Sequence, residues 1–147
     1  MHINSYTDYS LRVLIHAAAK SPALVTVQEV ANAFRISKNH LMKVINELAR
    51  AGFLTTVRGR NGGFTLARPA TEIRVGDVVR FAKKGSVLVE CFDPANNHCV
   101  ITPVCKLKFD LHEAQEAFYA VLDRRSIADL FPSPEAILHH LGAANIL

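Results

Sequence analysis

No stretch of this chain is long and apolar enough to cross a bilayer, and its start, MHINSYTDYS, has neither the basic opening nor the apolar core of a secretory signal. Both absences point to the cytoplasm, where thiols stay reduced. Internal repeats and low-complexity tracts are also missing, which leaves 147 residues in the single-domain size range. Cysteine is confined to one stretch, VECFDPANNHCVITPVCKLK, as Cys91, Cys99 and Cys105. An odd count in a reducing compartment argues against structural disulfides. The C-x2–4-C pairs usual for structural zinc do not occur, and no catalytic dyad accompanies the thiols, so an enzyme has no motif to rest on. Acidic residues are scarce in one half only. Residues 1–70 hold nine Lys/Arg against Asp8, Glu29 and Glu47, a net +6, whereas residues 71–147 sum to −2. That asymmetry fits a polyanion-binding lobe as well as it fits ordinary surface charge.

Most of what is present reads as helix. Over residues 4–20, Tyr6, Leu11, Leu14, Ile15 and Ala18 recur near helical spacing before SP closes the segment. VTVQEVANAFRISKNHLMKVINELARAGFL divides into two short helices. Thr26 caps the first, with Glu29 completing a capping box, and Val27, Val30, Ala31 and Phe34 form its apolar face. RIS makes the turn, and Ser37 is placed to cap the second. That helix buries Leu41, Val44, Ile45 and Leu48 and stops at Gly52. Its outer face is polar and basic, the outline of a helix-turn-helix. FLTTVRGRNGGFTLARP follows as strand, turn and strand, with glycines 59, 62 and 63 permitting positive φ. A basic hairpin in that position is a wing. Residues 75–84 predict a further short helix, 106–123 a long amphipathic one, and SIADLF and PEAILHHL two short terminal ones. The expected fold is mainly α with a small β wing. A winged helix-turn-helix lobe occupies 1–70, a connecting helix and cysteine loop 71–105, and a dimerisation helix with C-terminal helices 106–147.

Ser37, Lys38, Asn39, His40 and Lys43 are the candidate base readers, since Asn pairs with adenine and Lys with guanine or phosphate. Arg58, Arg60 and Asn61, on the hairpin turn, would follow the phosphates or enter the minor groove. Leu107, Leu111, Ala114, Phe118 and Val121 form a heptad-like stripe. It packs either into the chain's own core or against a second copy, and helix-turn-helix proteins normally bind palindromes as two-fold dimers. The spacing C-x7-C-x5-C admits an iron–sulfur cluster, a zinc ion, a redox thiol pair with one spare, or inert buried thiols. Clusters tolerate wide, irregular spacing because their thiolates approach different irons. Three thiolates lack one ligand, for which water, a small molecule, Asp93, His98 and His112 are local sources.

TDYSLRVL, SKNHLMKVINELARAGFL, VRGRNGGFTLARPA, IRVGDVV, CVITPVCKLK, AFYAVLD and IADLF together resemble the Rrf2 family of bacterial transcription regulators, through nearly all of residues 1–131. Within that family the chain is most similar to the nitric-oxide-sensing repressors. The resemblance implies a winged-helix homodimer on a palindromic DNA operator, joined through helix 106–123. It also implies an iron–sulfur cluster, 4Fe-4S favoured over 2Fe-2S, on Cys91, Cys99 and Cys105, with Asp8 of the second subunit as fourth ligand. Nitric oxide would be the signal, and DNA affinity would fall when the cluster is nitrosylated. Iron- or redox-sensing members of the family, and a metal-free thiol switch, are the alternatives. The x7 spacing is longer than in many such repressors. Lys108 stands where the family's iron–sulfur biogenesis regulators have a histidine ligand.

Overall fold

The computed structural model describes residues 3–143. In chain order the elements are α1 (Ser5–Lys20), α2 (Val27–Phe34), α3 (Lys38–Arg50), β1 (Leu54–Val57), β2 (Gly63–Leu66), α4 (Val75–Ala82), α5 (Leu107–Asp123) and α6 (Pro134–Ala143). Short 3-10 turns lie at Ala70–Glu72, Glu90–Phe92 and Ile127–Leu130. The expected class, mainly α with a small β wing, is what the chain adopts. None of the described helices is long and apolar enough to cross a membrane.

Local chemistry sets the ends of these helices. Asn4 Oδ1 accepts from the Thr7 N–H and hydroxyl, both at 2.9 Å, and so caps α1. Thr26 and Glu29 form the reciprocal capping box of α2. Ser37 occupies the cap position of α3 but makes no side-chain cap bond, contrary to the sequence reading. At the other end of α3, Phe53 N–H donates to Leu48 O at 3.0 Å and Gly52 N–H to Ala49 O at 3.1 Å, with Gly52 at φ +80. This is a Schellman stop, and the buried Phe53 and Leu48 close it with an apolar contact.

α1 buries a different face from the one its large apolar residues suggest. Thr7, Ser10, Val13, Leu14, His16 and Ala17 to Ala19 are buried, whereas Tyr6, Leu11 and Ile15 are only half covered. The helix touches α2, α3, α4, α6, β2 and the Ile127–Leu130 turn, so small side chains are needed for close approach on several sides. Buried Ser10 satisfies its hydroxyl on Tyr6 O at 2.8 Å.

In the wing, β1 and β2 pair antiparallel with Leu54 opposite Leu66 and Val57 opposite Gly63. Only Gly59 of the three wing glycines has positive φ. Gly62 and Gly63 are required for space: a Cβ there would lie 2.3 Å from Val57 O and 2.5 Å from Val25 O. One core runs through the lobe and beyond residue 70, uniting Leu14, Leu41, Leu48 and Phe64 with Ile73, Val78, Val79 and Ile127. Backbone bonds from Val75 N to Arg125 O and Ile127 N to Ile73 O, each 2.9 Å, pin the two ends of the intervening segment together. α5 has no fully buried residue. Of its heptad-like stripe, Phe118 packs on the core beside Tyr119 and Leu122, while Leu107, Ala114 and Val121 face outward. Arg80 clamps Asp123 bidentately at 2.7 and 2.6 Å and stacks over Tyr119 at 4.5 Å, tying α4 to α5.

Candidate functional site

Two places gather the residues singled out above. The first is the outward face of α3 with the wing. Ser37, Lys38, Asn39, His40 and Lys43 are all exposed, as are Arg58, Arg60 and Asn61 on the turn between the strands. No acidic residue sits in the first turn of α3, so its positive helix end is uncompensated. The face has two sides. Lys38, Met42 and Asn46, spaced one turn apart, border a cleft of about 310 Å³ whose far wall is the wing residues Thr56, Val57 and Gly59. His40 and Lys43 instead border a hollow of about 230 Å³ with Ser5, Tyr6 and Tyr9 of α1. Burial, and then the nearby Glu47 carboxylate, push the Tyr6 phenol well above the usual tyrosine range, so it stays neutral beside α3. Met42, Asn46, Thr56 and Gln28 on this face were not singled out from sequence. The four-residue ladder Lys38–Met42–Asn46 was the signal that could have found them.

The second place is the cysteine loop between α4 and α5. Cys91 lies in the Glu90–Phe92 turn, and Cys99 and Cys105 in irregular chain; all three are free and half-buried. Side-chain bonds within the loop run from Asn96 to Asp93 at 2.7 Å, from the Ala95 N–H to Asp93 at 3.1 Å and from Asn97 to Thr102 at 3.1 Å. Asn96, and then the Ala95 N–H, hold the Asp93 carboxyl below the ordinary range and occupy both its oxygens. His112 sits edge-on to Phe92 with ring centres 6.0 Å apart, and His98 is exposed. Asp8, in the first turn of α1, is paired with Arg12 at 2.8 Å. Three reduced thiols in one loop are a donor set of the right chemistry for an iron–sulfur centre. Among the described residues, no three His, Cys, Asp or Glu side chains of the single chain stand close enough together to hold a metal ion.

The profile of the Rrf2 family, described as an iron-dependent transcriptional regulator, matches residues 3–133. The chain belongs to the Rrf2 family. Rrf2 proteins are transcriptional regulators, and this one is a regulator, not an enzyme. It is 48% identical over 139 residues to the HTH-type transcriptional regulator NsrR of Bacillus subtilis, covering 94% of this chain and 95% of that one. To the NsrR of Oceanobacillus iheyensis it is 43% identical over 147 residues, covering 99% of this chain and all of the relative. The solved structure of CymR, the global cysteine regulator of B. subtilis, superposes with a TM-score of 0.70 over 88% of this chain and 95% of that one. At 23% identity that likeness speaks for the fold alone. As an Rrf2 regulator, the chain pairs a basic helix–wing face with a separate cysteine-bearing loop.

Proposed function

We propose that this Rrf2 regulator is a homodimeric, DNA-binding repressor that responds to nitric oxide through an iron–sulfur cluster. The observation that carries the reading is the pairing of a basic helix–wing face with one loop holding every cysteine, in a chain 43–48% identical to regulators named NsrR. Cys91, Cys99 and Cys105 would hold the cluster, with Asp8 of a second copy of the chain as the fourth ligand. When bound, the cluster supplies iron that reacts directly with nitric oxide.

The chain's own residues supply the coupling. Tyr6 and Tyr9 flank Asp8 along α1 and share a hollow with His40, Lys43 and Val44 of α3. A tie made or released at Asp8 therefore bears on the packing beneath the recognition helix. Moving Asp8 away from Arg12 breaks an exposed pair, roughly 40% accessible on both sides, which costs no more than about 1 kcal/mol. Two recognition helices must meet half-sites at fixed spacing, so a small reorientation of each α3 removes specific affinity.

The test is anaerobic purification, an absorption spectrum, and titration with nitric oxide followed by a DNA-shift assay. The expected result is a coloured protein whose operator affinity falls as the cluster reacts. Operator binding that stays undiminished after the reaction overturns the reading. Three free, half-buried thiols in one loop also support a second reading, a metal-free thiol switch. A colourless anaerobic protein whose DNA binding follows thiol oxidation selects it.

A further inference from the structure

Among residues 3–70 of this basic lobe, large apolar side chains are exposed at only Ile3, Met42 and Val57. Met42 and Val57 are each 47% accessible and stand on facing elements, the recognition helix and the wing. They border the same cleft, over a floor that includes buried Ile45 and Phe64. Polar side chains of Gln28, Lys38, Asn46 and Thr56 surround this apolar spot, and no acidic residue borders it. Lys38, Lys43, Arg58 and Arg60 make its wider surroundings cationic.

An apolar spot ringed by amides and cations calls for a polyanion that carries an apolar group on an otherwise polar edge. DNA offers one such group in the major groove, the 5-methyl of thymine. We propose that Met42, backed by Val57, seats a thymine methyl and is a specificity-determining residue of the operator complex. Asn46 and Gln28, whose amides both donate and accept, flank Met42 where neighbouring base edges or phosphates would lie. This inference rests on the reading of the protein as a DNA-binding regulator.

The test uses the full-length protein and an operator selected by it from a random-sequence DNA duplex library. Each thymine of that operator is replaced in turn by deoxyuridine, which removes only the methyl. One position per half-site is expected to lose affinity by about fourfold per half-site, the worth of one buried methyl-sized group. Met42→Ala should lose a similar factor on the unmodified operator and become insensitive to deoxyuridine at that position, while Met42→Leu retains the discrimination. Deoxyuridine losses that persist undiminished in Met42→Ala overturn the proposal, as does a Met42→Ala defect equal on all sequences. If Met42→Ala leaves DNA binding untouched, the proposal falls. Those failures leave the DNA-binding reading standing. A wild-type protein that selects no sequence at all removes both.

Discussion

Every α-helix from α1 to α4, and both strands, bury side chains in one core, whereas no residue from 86 to 106 is buried. The winged lobe is held by contacts distant in sequence and by reciprocated caps. The hydrogen bonds that shape the cysteine loop join residues two to five apart. Val100, Ile101 and Val104 stand in that loop at 91%, 56% and 82% accessibility. Apolar side chains so placed gain nothing from the single chain. The lobe is thus a finished structure, whereas the loop leaves its apolar side chains largely uncovered in the single chain.

The sharpest way to break this contrast is to truncate a side chain in each part. Phe64→Ala, at the junction of wing and core, should destabilise the fold by about 3–5 kcal/mol in urea unfolding. Gly63→Ala forces a Cβ against Val25 O and should cost about 1–3 kcal/mol while leaving the helical signal intact. A pH series probes the lobe in another way. Burial lowers the pKa of His16, with Glu29 opposing and Lys20 reinforcing the shift, and its Nδ1 has no hydrogen-bond partner among the described residues. A depressed folded pKa means that the unfolded chain binds the extra proton first. The contribution of His16 is therefore complete above the ordinary histidine value and declines as pH falls below it. His16→Gln should flatten that part of the stability curve, and an unchanged slope assigns it elsewhere. The smallest effect is expected from Val104→Ala, under about 0.5 kcal/mol for the single chain. A loss comparable to Phe64→Ala would show that the loop belongs to the fold after all.

What could be read from sequence follows the same division. The capping box at Thr26, the Gly52 stop and the wing hairpin are local, and each is stated within a few consecutive residues. Helical spacing in α1 marked the buried Leu14 and Ala18, but not Thr7 and Ser10, which are buried because six neighbouring elements crowd the helix and favour small side chains. Ser37 has a capping residue's identity without its bond, and Gly62 and Gly63 serve clearance from carbonyls that only the folded wing brings near. Met42 was passed over because an apolar residue on a helix is ordinarily assigned to a core, and only the facing Val57 shows otherwise. Family membership was legible across the chain, because its motifs are spread from α1 to the Ile127–Leu130 turn.

The paired backbone bonds that join Ile73 and Val75 to Arg125 and Ile127 make a closed ring of the chain between them. Ring closure is an entropic cost that grows only with the logarithm of length, about 0.6 kcal/mol for each doubling. Residues inserted into this ring, including the long gap between Cys91 and Cys99, therefore change the stability of the lobe very little. Selection can lengthen, shorten or respace the cysteine loop with little change in the stability of the winged lobe.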